Sequence, residues 1–539
     1  MDVDHGLSRI LWSNDVPIPI EATSIRSEVE TITSRISVLR AELEGLENRL
    51  RQHHAALSPV RRVPPEIIAQ IFSILVVGVL DSGGRDGLLD LGLVCKSWRR
   101  AALSSHRLWA GVSVDRHQCN ETSYGKIVTW LNRSGDLPRT LTFDHITFDD
   151  CECEFEDSER EEPCQMSNPA LIKLLSVGPK LHTLVLQCSS QVCFRTLLES
   201  IGPEPDLMNP RPWDTLQSLR LELSAAGSCP WDEPLEASES LFYHLPQVTS
   251  LNLHIPYSFT AFEEDLTHSR TVALNVPPRL LQGLKTFDLR CDWQGNHILA
   301  MLQHCENLET LIVDFRGEAL QYDEDDIPIV HKISTESRLV FPNLRTLHLE
   351  STPDIKLLDF LRAPSLRDLR FDMEYDPEDL EEFEFQEPLM RFLKVSNCQE
   401  KLQSLHLQNL TISSIKLARI FLDLPSLTTV IIDRARFDAN TFWQQMQHFA
   451  LKRIGTSDAP RCLPHLRELQ TFYMPVEGPV LRAVAKFLMT NRTMNPLPSP
   501  CAWKVSYVPT MRTEDNMEQE LAALAERCVS FQVVPFSSL

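Results

Sequence analysis

The chain has 539 residues, 43% hydrophobic and 23% charged, with a formal net charge of −22. That length allows about two to four domains, and the acidic balance argues against nucleic acid, whose phosphates call for clustered Lys and Arg. The longest nearly charge-free apolar stretch, Ile67 to Leu80, is fourteen residues, short of the roughly 20 that cross a bilayer. Asp2 and Asp4 stand where a secretory signal would carry basic residues, so an intracellular chain, cytoplasmic and/or nuclear, with no membrane association is expected. The fourteen cysteines are scattered without a CxxC pair, as small buried hydrophobes in a reducing compartment would be. Cys151, Cys153 and Cys164 cluster without a fourth donor, so no metal is expected there. The sequence holds no P-loop, GxSxG, HExxH or dinucleotide-type glycine turn, and neither a cofactor nor a catalytic residue is expected.

Residues 1–20 are expected to be a flexible N-terminus. Over 21–58 the apolar residues step by four and three, with Val29, Ile36, Leu43, Leu50 and Leu57 at one heptad position and Ile25, Ile32, Leu39, Leu46 and His53 at the other. This predicts a coiled-coil helix roughly 50 Å long, closed by Pro59 and Pro64. Self-association, a partner helix and folding back on the chain all remain open for its seam.

From Val63 a compact helical module is expected. Pro64, Pro65 and Glu66 suit a helix start, and Ile67, Ile68, Ile71, Phe72 and Leu75 recur at helical spacing. Asp81-Ser82-Gly83-Gly84 reads as a break. A second helix is predicted from Leu88 through Val94 and Cys95 to Trp98, then a third element with Ala101, Ala102, Leu103, Leu108 and Trp109. Some fifty residues make a marginal core, so part of this apolar set is expected to face a partner.

Residues 63–112 resemble the F-box. The matching steps are Val63-Pro64-Pro65-Glu66-Ile67, Ile71-Phe72-Ser73-Ile74-Leu75, Val94-Cys95-Lys96-Ser97-Trp98 and Leu108-Trp109. Val63 replaces the usual Leu, and the connector near Asp81 to Gly87 is longer than usual. The resemblance implies binding to a Skp-type adaptor and through it a cullin. It assigns Pro64, Ile67, Ile71, Leu75, Val94, Cys95 and Trp98 to the adaptor-facing or supporting set, with Phe72 and Trp109 in the core. The chain would then be the substrate-receptor subunit of a cullin–RING (SCF-type) ubiquitin ligase, itself non-catalytic. The alternative is an interaction scaffold using the F-box outside a ligase.

After a linker helix expected over 113–140, the segment Trp130 to Gly135 and a strand near Leu141 to Ile146 resemble the region next to the F-box in the expanded F-box families of mushroom-forming fungi. One pattern then returns: apolar, two variable, apolar, one variable, apolar. Nine full copies begin at Leu181, Leu216, Val248, Leu284, Leu308, Leu344, Leu366, Leu402 and Leu427, with a weaker tenth at Leu466, spaced by 22 to 39 residues. Apolar residues two apart share one face of a strand, and units that cannot bury that face alone must stack. The expected fold is therefore α/β: a coiled-coil helix and three-helix F-box, an irregular leucine-rich repeat solenoid of parallel strands over 141–475, and a C-terminal α/β cap over 476–539. The cap is predicted as helix Val480 to Thr490, strand Trp503 to Val508, helix Glu514 to Cys528 and strand Phe531 to Val534.

Residues between the inward pairs, and the next outward positions such as His254 and Arg290, should line the concave face. Arg220, Arg290, His348, Arg370 and His406 are the candidate substrate contacts. The arginines fall on separate strands, which does not favour a phosphate pocket. His348 and His406, two strands and roughly 10 Å apart, are too distant to share a metal. Three acidic runs, Asp149 to Glu162, Asp323 to Asp326 and Glu374 to Glu387, each follow a strand. They are expected to project from one sheet edge as a negative lobe for a basic protein substrate, or to be solvated loops.

Overall fold

A computed structural model of the chain describes residues 8, 10–13, 16–76, 78–115, 121–144, 164–202, 210–223, 240–255, 274–291, 293, 295–315, 338–352, 354–373, 384–451, 462–473, 478–495, 501–506 and 529–533. It divides into two compact units, Met1–Val77 with Gly83–Leu108, and Gly78–Ser82 with Trp109–Leu539.

The first unit is helical. Its long helix, Pro19–Leu57, opens with proline at the first turn, while the Glu21 carboxylate accepts the Ile18 N–H at 3.1 Å. It ends before Ser58 and Pro59, and none of its residues is buried. Helices Pro65–Leu75, Ser82–Val94 and Lys96–Ser104 follow. Two sequence expectations are corrected here. Ser82, Gly83 and Gly84 lie inside a helix rather than in a break; Leu88, 1% exposed, anchors it by burial. The helix expected to run on to Trp98 stops at Val94, because Cys95 takes an extended backbone (φ −163°, ψ 168°) and its carbonyl accepts the Arg99 N–H of the next helix at 3.0 Å. Trp98 therefore belongs to the third helix, where its ring meets Phe72 edge to face at 5.3 Å.

In the second unit the described residues form a fourteen-stranded sheet in which each strand pairs in parallel with the next. The strands are Gly111–Asp115, Thr140–Asp144, Thr183–Cys188, Ser218–Leu223, Ser250–His254, Thr286–Arg290 and Thr310–Asp314, then Thr346–Thr352, Asp368–Met373, Ser404–Gln408, Thr429–Asp433, Glu468–Phe472, Cys501–Val505 and Val529–Val533. Leu339–Val340 and Leu361–Arg362 make a separate two-stranded pair. Ten strands carry the repeat pattern. The inner leucine row, for example Leu219, Leu251, Phe287, Leu311, Leu347, Leu369 and Leu405, runs in unbroken register, each member fully buried.

The first strand carries no repeat motif, and the segment expected as a linker helix begins inside it; among the described residues there, Glu121–Asn132 is helical. Val112 and Val114 are buried beside Leu141 and Phe143, and Ser113 donates its N–H to the Leu80 carbonyl at 2.8 Å. A Cβ on Gly111 would stand 3.2 Å from the Val79 Cα, so the residue that starts the sheet needs to be small.

Connections carry helices such as Gln191–Ile201, Gly295–Leu302, Gln386–Ser396, Ser414–Leu422 and Ala439–Leu451, whose apolar faces (Phe194, Leu299, Phe392, Phe421, Trp443) are buried. Short units hold a helix as well, Gly295–Leu302 and Ser414–Leu422 being examples, and the shortest carries the 3-10 turn Lys356–Phe360. At the C-terminal end, helix Gly478–Met494 precedes two strands that continue the same parallel sheet, and the helix expected over Glu514 to Cys528 lies outside the described residues. Of the nine described cysteines all but Cys95 are buried; burial pushes the Cys305 and Cys398 thiols up to about 12.

Candidate functional site

Two surfaces carry the chemistry that is not consumed by the core. The first is the polar face of the sheet. Because the strands are in register, Arg220, Asn252, Asp288, Ile312, His348, Arg370 and His406 form one row across consecutive strands. Glu222, His254, Arg290, Asp314 and Glu350 form the next. From Ser218–Leu223 to Thr429–Asp433 these two rows hold six carboxylates and three arginines.

The arginines named as substrate contacts are engaged by those carboxylates. Arg220 pairs with Glu222. Arg290 lies 3.9 Å from Asp288 and Asp314 and 4.0 Å from Glu350. Arg370 is 3.9 Å from Glu350 and donates to Gln408 at 3.2 Å. At the centre, His254 is 6% exposed, with Nδ1 3.3 Å from Glu222 Oε1 and Nε2 3.6 Å from Asp288 Oδ2. Burial works against its charge, but the flanking Asp288 and Glu222 carboxylates outweigh it and raise its pKa above the ordinary value. The His254 hydrogen bond, helped by Gln187 and Arg220 and opposed by burial, holds Glu222 down to about 2.

Farther along the same rows burial wins. It lowers His348, and it lowers His406 to about 4 with Arg370 and His348 adding repulsion. It also raises Glu350, Asp372 and Asp433. Arg370 sits between His348 and His406 in the register, so the two imidazoles are neutral spacers around a cation. Several buried polar atoms of these rows, His254 Nε2, Asp288 Oδ1, Arg370 Nε, His406 Nε2 and Asp433 Oδ1, have no hydrogen-bond partner among the described residues. Such atoms are costly to leave unmet.

One outer row was not singled out in the sequence. Thr140, Thr183, Ser218, Ser250, Thr286, Thr310 and Thr346 align residue for residue, giving the start of the strands a line of hydroxyls. The signal was the Thr or Ser directly before the inner leucine in successive repeats.

The acidic runs at 149–162 and 323–326, and most of the third, lie outside the described residues. The strands that precede them end at Asp144, Asp314 and Met373 of one parallel sheet, so these three ends share an edge. No group of His, Cys, Asp and Glu arranged to hold a metal occurs among the described residues, and no described helix is long and apolar enough to cross a membrane.

The second surface is an apolar helix face in the first unit. On Pro65–Leu75, Ile68 and Phe72 are 2% and 0% exposed, whereas Ile67, Ile71 and Leu75 are 44%, 46% and 66% exposed. These three are spaced by four residues and share one side of the helix. A family model described as F-box-like matches residues 60–115. The chain contains an F-box-like domain. No curated protein matches the chain.

F-box domains generally bind Skp-type adaptors and are generally non-catalytic. Within this F-box-like domain Pro64, Val94 and Cys95 are also exposed, and Trp98 is half-buried against Phe72. Phe72 is in the core. Trp109 is buried as well, its ring 4.5 Å from Trp130 and stacked by the Arg133 guanidinium. Sequence reasoning missed Ile74, Leu89 and Leu93, at 76%, 46% and 74% exposure. Leu89 and Leu93 are four apart on Ser82–Val94, a spacing that was readable, but helical periodicity alone does not tell an inward stripe from an outward one.

Proposed function

We propose that this chain is the substrate-receptor subunit of a cullin–RING (SCF-type) ubiquitin ligase. The observation that supports it most directly is the exposed Ile67, Ile71 and Leu75 stripe within the F-box-like match, backed by a buried Ile68 and Phe72 face. A stripe of this size held on a small core is a docking surface rather than a packing defect. Pro64, Ile67, Ile71, Leu75, Val94, Cys95 and Trp98 would contact or support contact with the Skp-type adaptor, and the adaptor would recruit the cullin. The chain then performs no chemistry; it works in the cytoplasm or nucleus by holding a substrate near the charged ubiquitin carrier.

The substrate surface in this reading is the polar face around Arg220, Arg290, His348, Arg370 and His406. Its excess of carboxylates over arginines favours a basic protein segment over a phosphorylated one. Co-purification of the full chain with adaptor and cullin tests the assignment. Loss of both with Ile67→Asp plus Leu75→Asp, in a chain whose circular dichroism is unchanged, supports it. Retention of adaptor without cullin would instead favour a scaffold that uses its F-box outside a ligase.

A further inference from the structure

The helix Pro19–Leu57 runs thirty-nine residues, about 58 Å at 1.5 Å per residue, and buries none of them. Its exposed seam residues range from Ile36 at 44% to Leu57 at 73%. We propose that this seam is covered by the same helix of a second copy, packed antiparallel with Ile36 opposite the partner's Leu39.

Three independent features select that arrangement. The first is charge. In a parallel in-register pair the flanking positions bring Arg35 to the partner's Arg40 and Glu42 to the partner's Glu47, each twice by symmetry; only Glu21 with the partner's Arg26 is attractive. In the antiparallel register, flanking positions of the same kind face one another. Glu28 then meets the partner's Arg49, Arg35 the partner's Glu42 and Arg26 the partner's Glu47, again twice each, with no like-charged pair. Sliding by one heptad in either direction ruins this. One slide sets Arg35 against the partner's Arg35 and Glu28 against the partner's Glu42; the other sets Glu42 against the partner's Glu42 and Arg35 against the partner's Arg49. Opposite charges at these flanks set partner orientation and register.

The second feature is side-chain shape. The seam is β-branched in its first half (Ile25, Val29, Ile32, Ile36) and leucine in its second (Leu39, Leu43, Leu46, Leu50). Antiparallel pairing therefore puts each branched residue against a leucine. It also sets His53, the one polar seam residue, opposite the small Ala22 of the partner, where a parallel pair would set His53 against itself. The third feature is length. The register chosen by charge also places Ile18 opposite the partner's Leu57, so the two helices overlap from end to end. Charge pattern and helix boundaries are separate facts, and they give one register.

Sedimentation of the full chain at low salt tests this, because one substitution changes sign between the two orientations. Glu42→Arg sets a new cation against the partner's Arg35 in the antiparallel pair but against the partner's Glu47 in the parallel one. The expected result is a dimer that Glu42→Arg weakens by roughly three- to tenfold, since two attractive pairs become repulsive. Arg35→Glu should weaken it likewise, and the double variant Arg35→Glu with Glu42→Arg should return to the wild-type constant. Both sites are solvent-exposed, and unchanged helicity by circular dichroism separates a pairing effect from a folding one. A chain that stays monomeric at every concentration, or a Glu42→Arg dimer tighter than wild type, overturns the proposal.

Discussion

Glu222 and His254 are register partners on adjacent strands, with the imidazole Nδ1 3.3 Å from the carboxylate Oε1. Neither group behaves as it would in water. Glu222 titrates at about 2, below its ordinary 4.5, and His254 titrates above its ordinary 6.5. The Glu222 contribution to stability is complete above pH 4.5 and is lost as pH falls towards 2. The His254 contribution is complete below pH 6.5 and is lost as pH rises through the raised folded value. Wild type should therefore lose its advantage over His254→Gln as the pH rises above 6.5. Urea midpoints compared at pH 6 and at about pH 9 check this. An equal difference at both would contradict it.

His406 works in the opposite direction. Its pKa is lowered to about 4 by burial first, then by Arg370 and His348. Between pH 6.5 and 4 the unfolded chain takes up a proton there that the folded chain refuses, so this residue makes stability fall as pH falls. His406→Gln should flatten that part of the acid profile in thermal melts. A variant with an unchanged acid slope would show that the burial cost is carried elsewhere.

Leu347 is fully buried between Leu311 and Leu369 on the flanking strands. Leu347→Ala removes those contacts and leaves a cavity, at a cost of roughly 2 to 5 kcal/mol. Denaturant unfolding measures it. His348→Ala, one residue on and turned to the polar face, should cost much less; similar losses for both would contradict the assignment of faces.

The architecture was legible in the sequence where a motif repeated. The Leu-x-x-Leu-x-Leu steps mark ten strands because burial of both leucines at every step leaves only one face to turn inward. Gly111–Asp115 escaped because Val112 and Val114 carry the alternation for just two inward positions. The break at Cys95 escaped because the apolar pattern from Leu91 to Trp98 continues across a residue whose extended backbone ends the helix. In the docking face, Ile67 and Ile71 were legible from the resemblance, whereas Leu93 required knowing which side of its helix lies against Leu88's neighbours. On the polar face the sequence placed Arg290 and His254 in the right row. It did not show that Arg290 is held among three carboxylates, since that depends on register between strands far apart in the chain.

The proposed ligase role of this chain requires its F-box-like domain to be a working dock. Affinity of the full chain for a Skp-type adaptor, measured for wild type and for Ile71→Asp, tests that most directly. Ile71 is 46% exposed while its neighbour Phe72 is buried, so the change should leave folding intact and weaken binding by at least about thirtyfold, as loss of a central apolar anchor does. An Ile71→Asp chain that binds the adaptor as tightly as wild type would contradict that role.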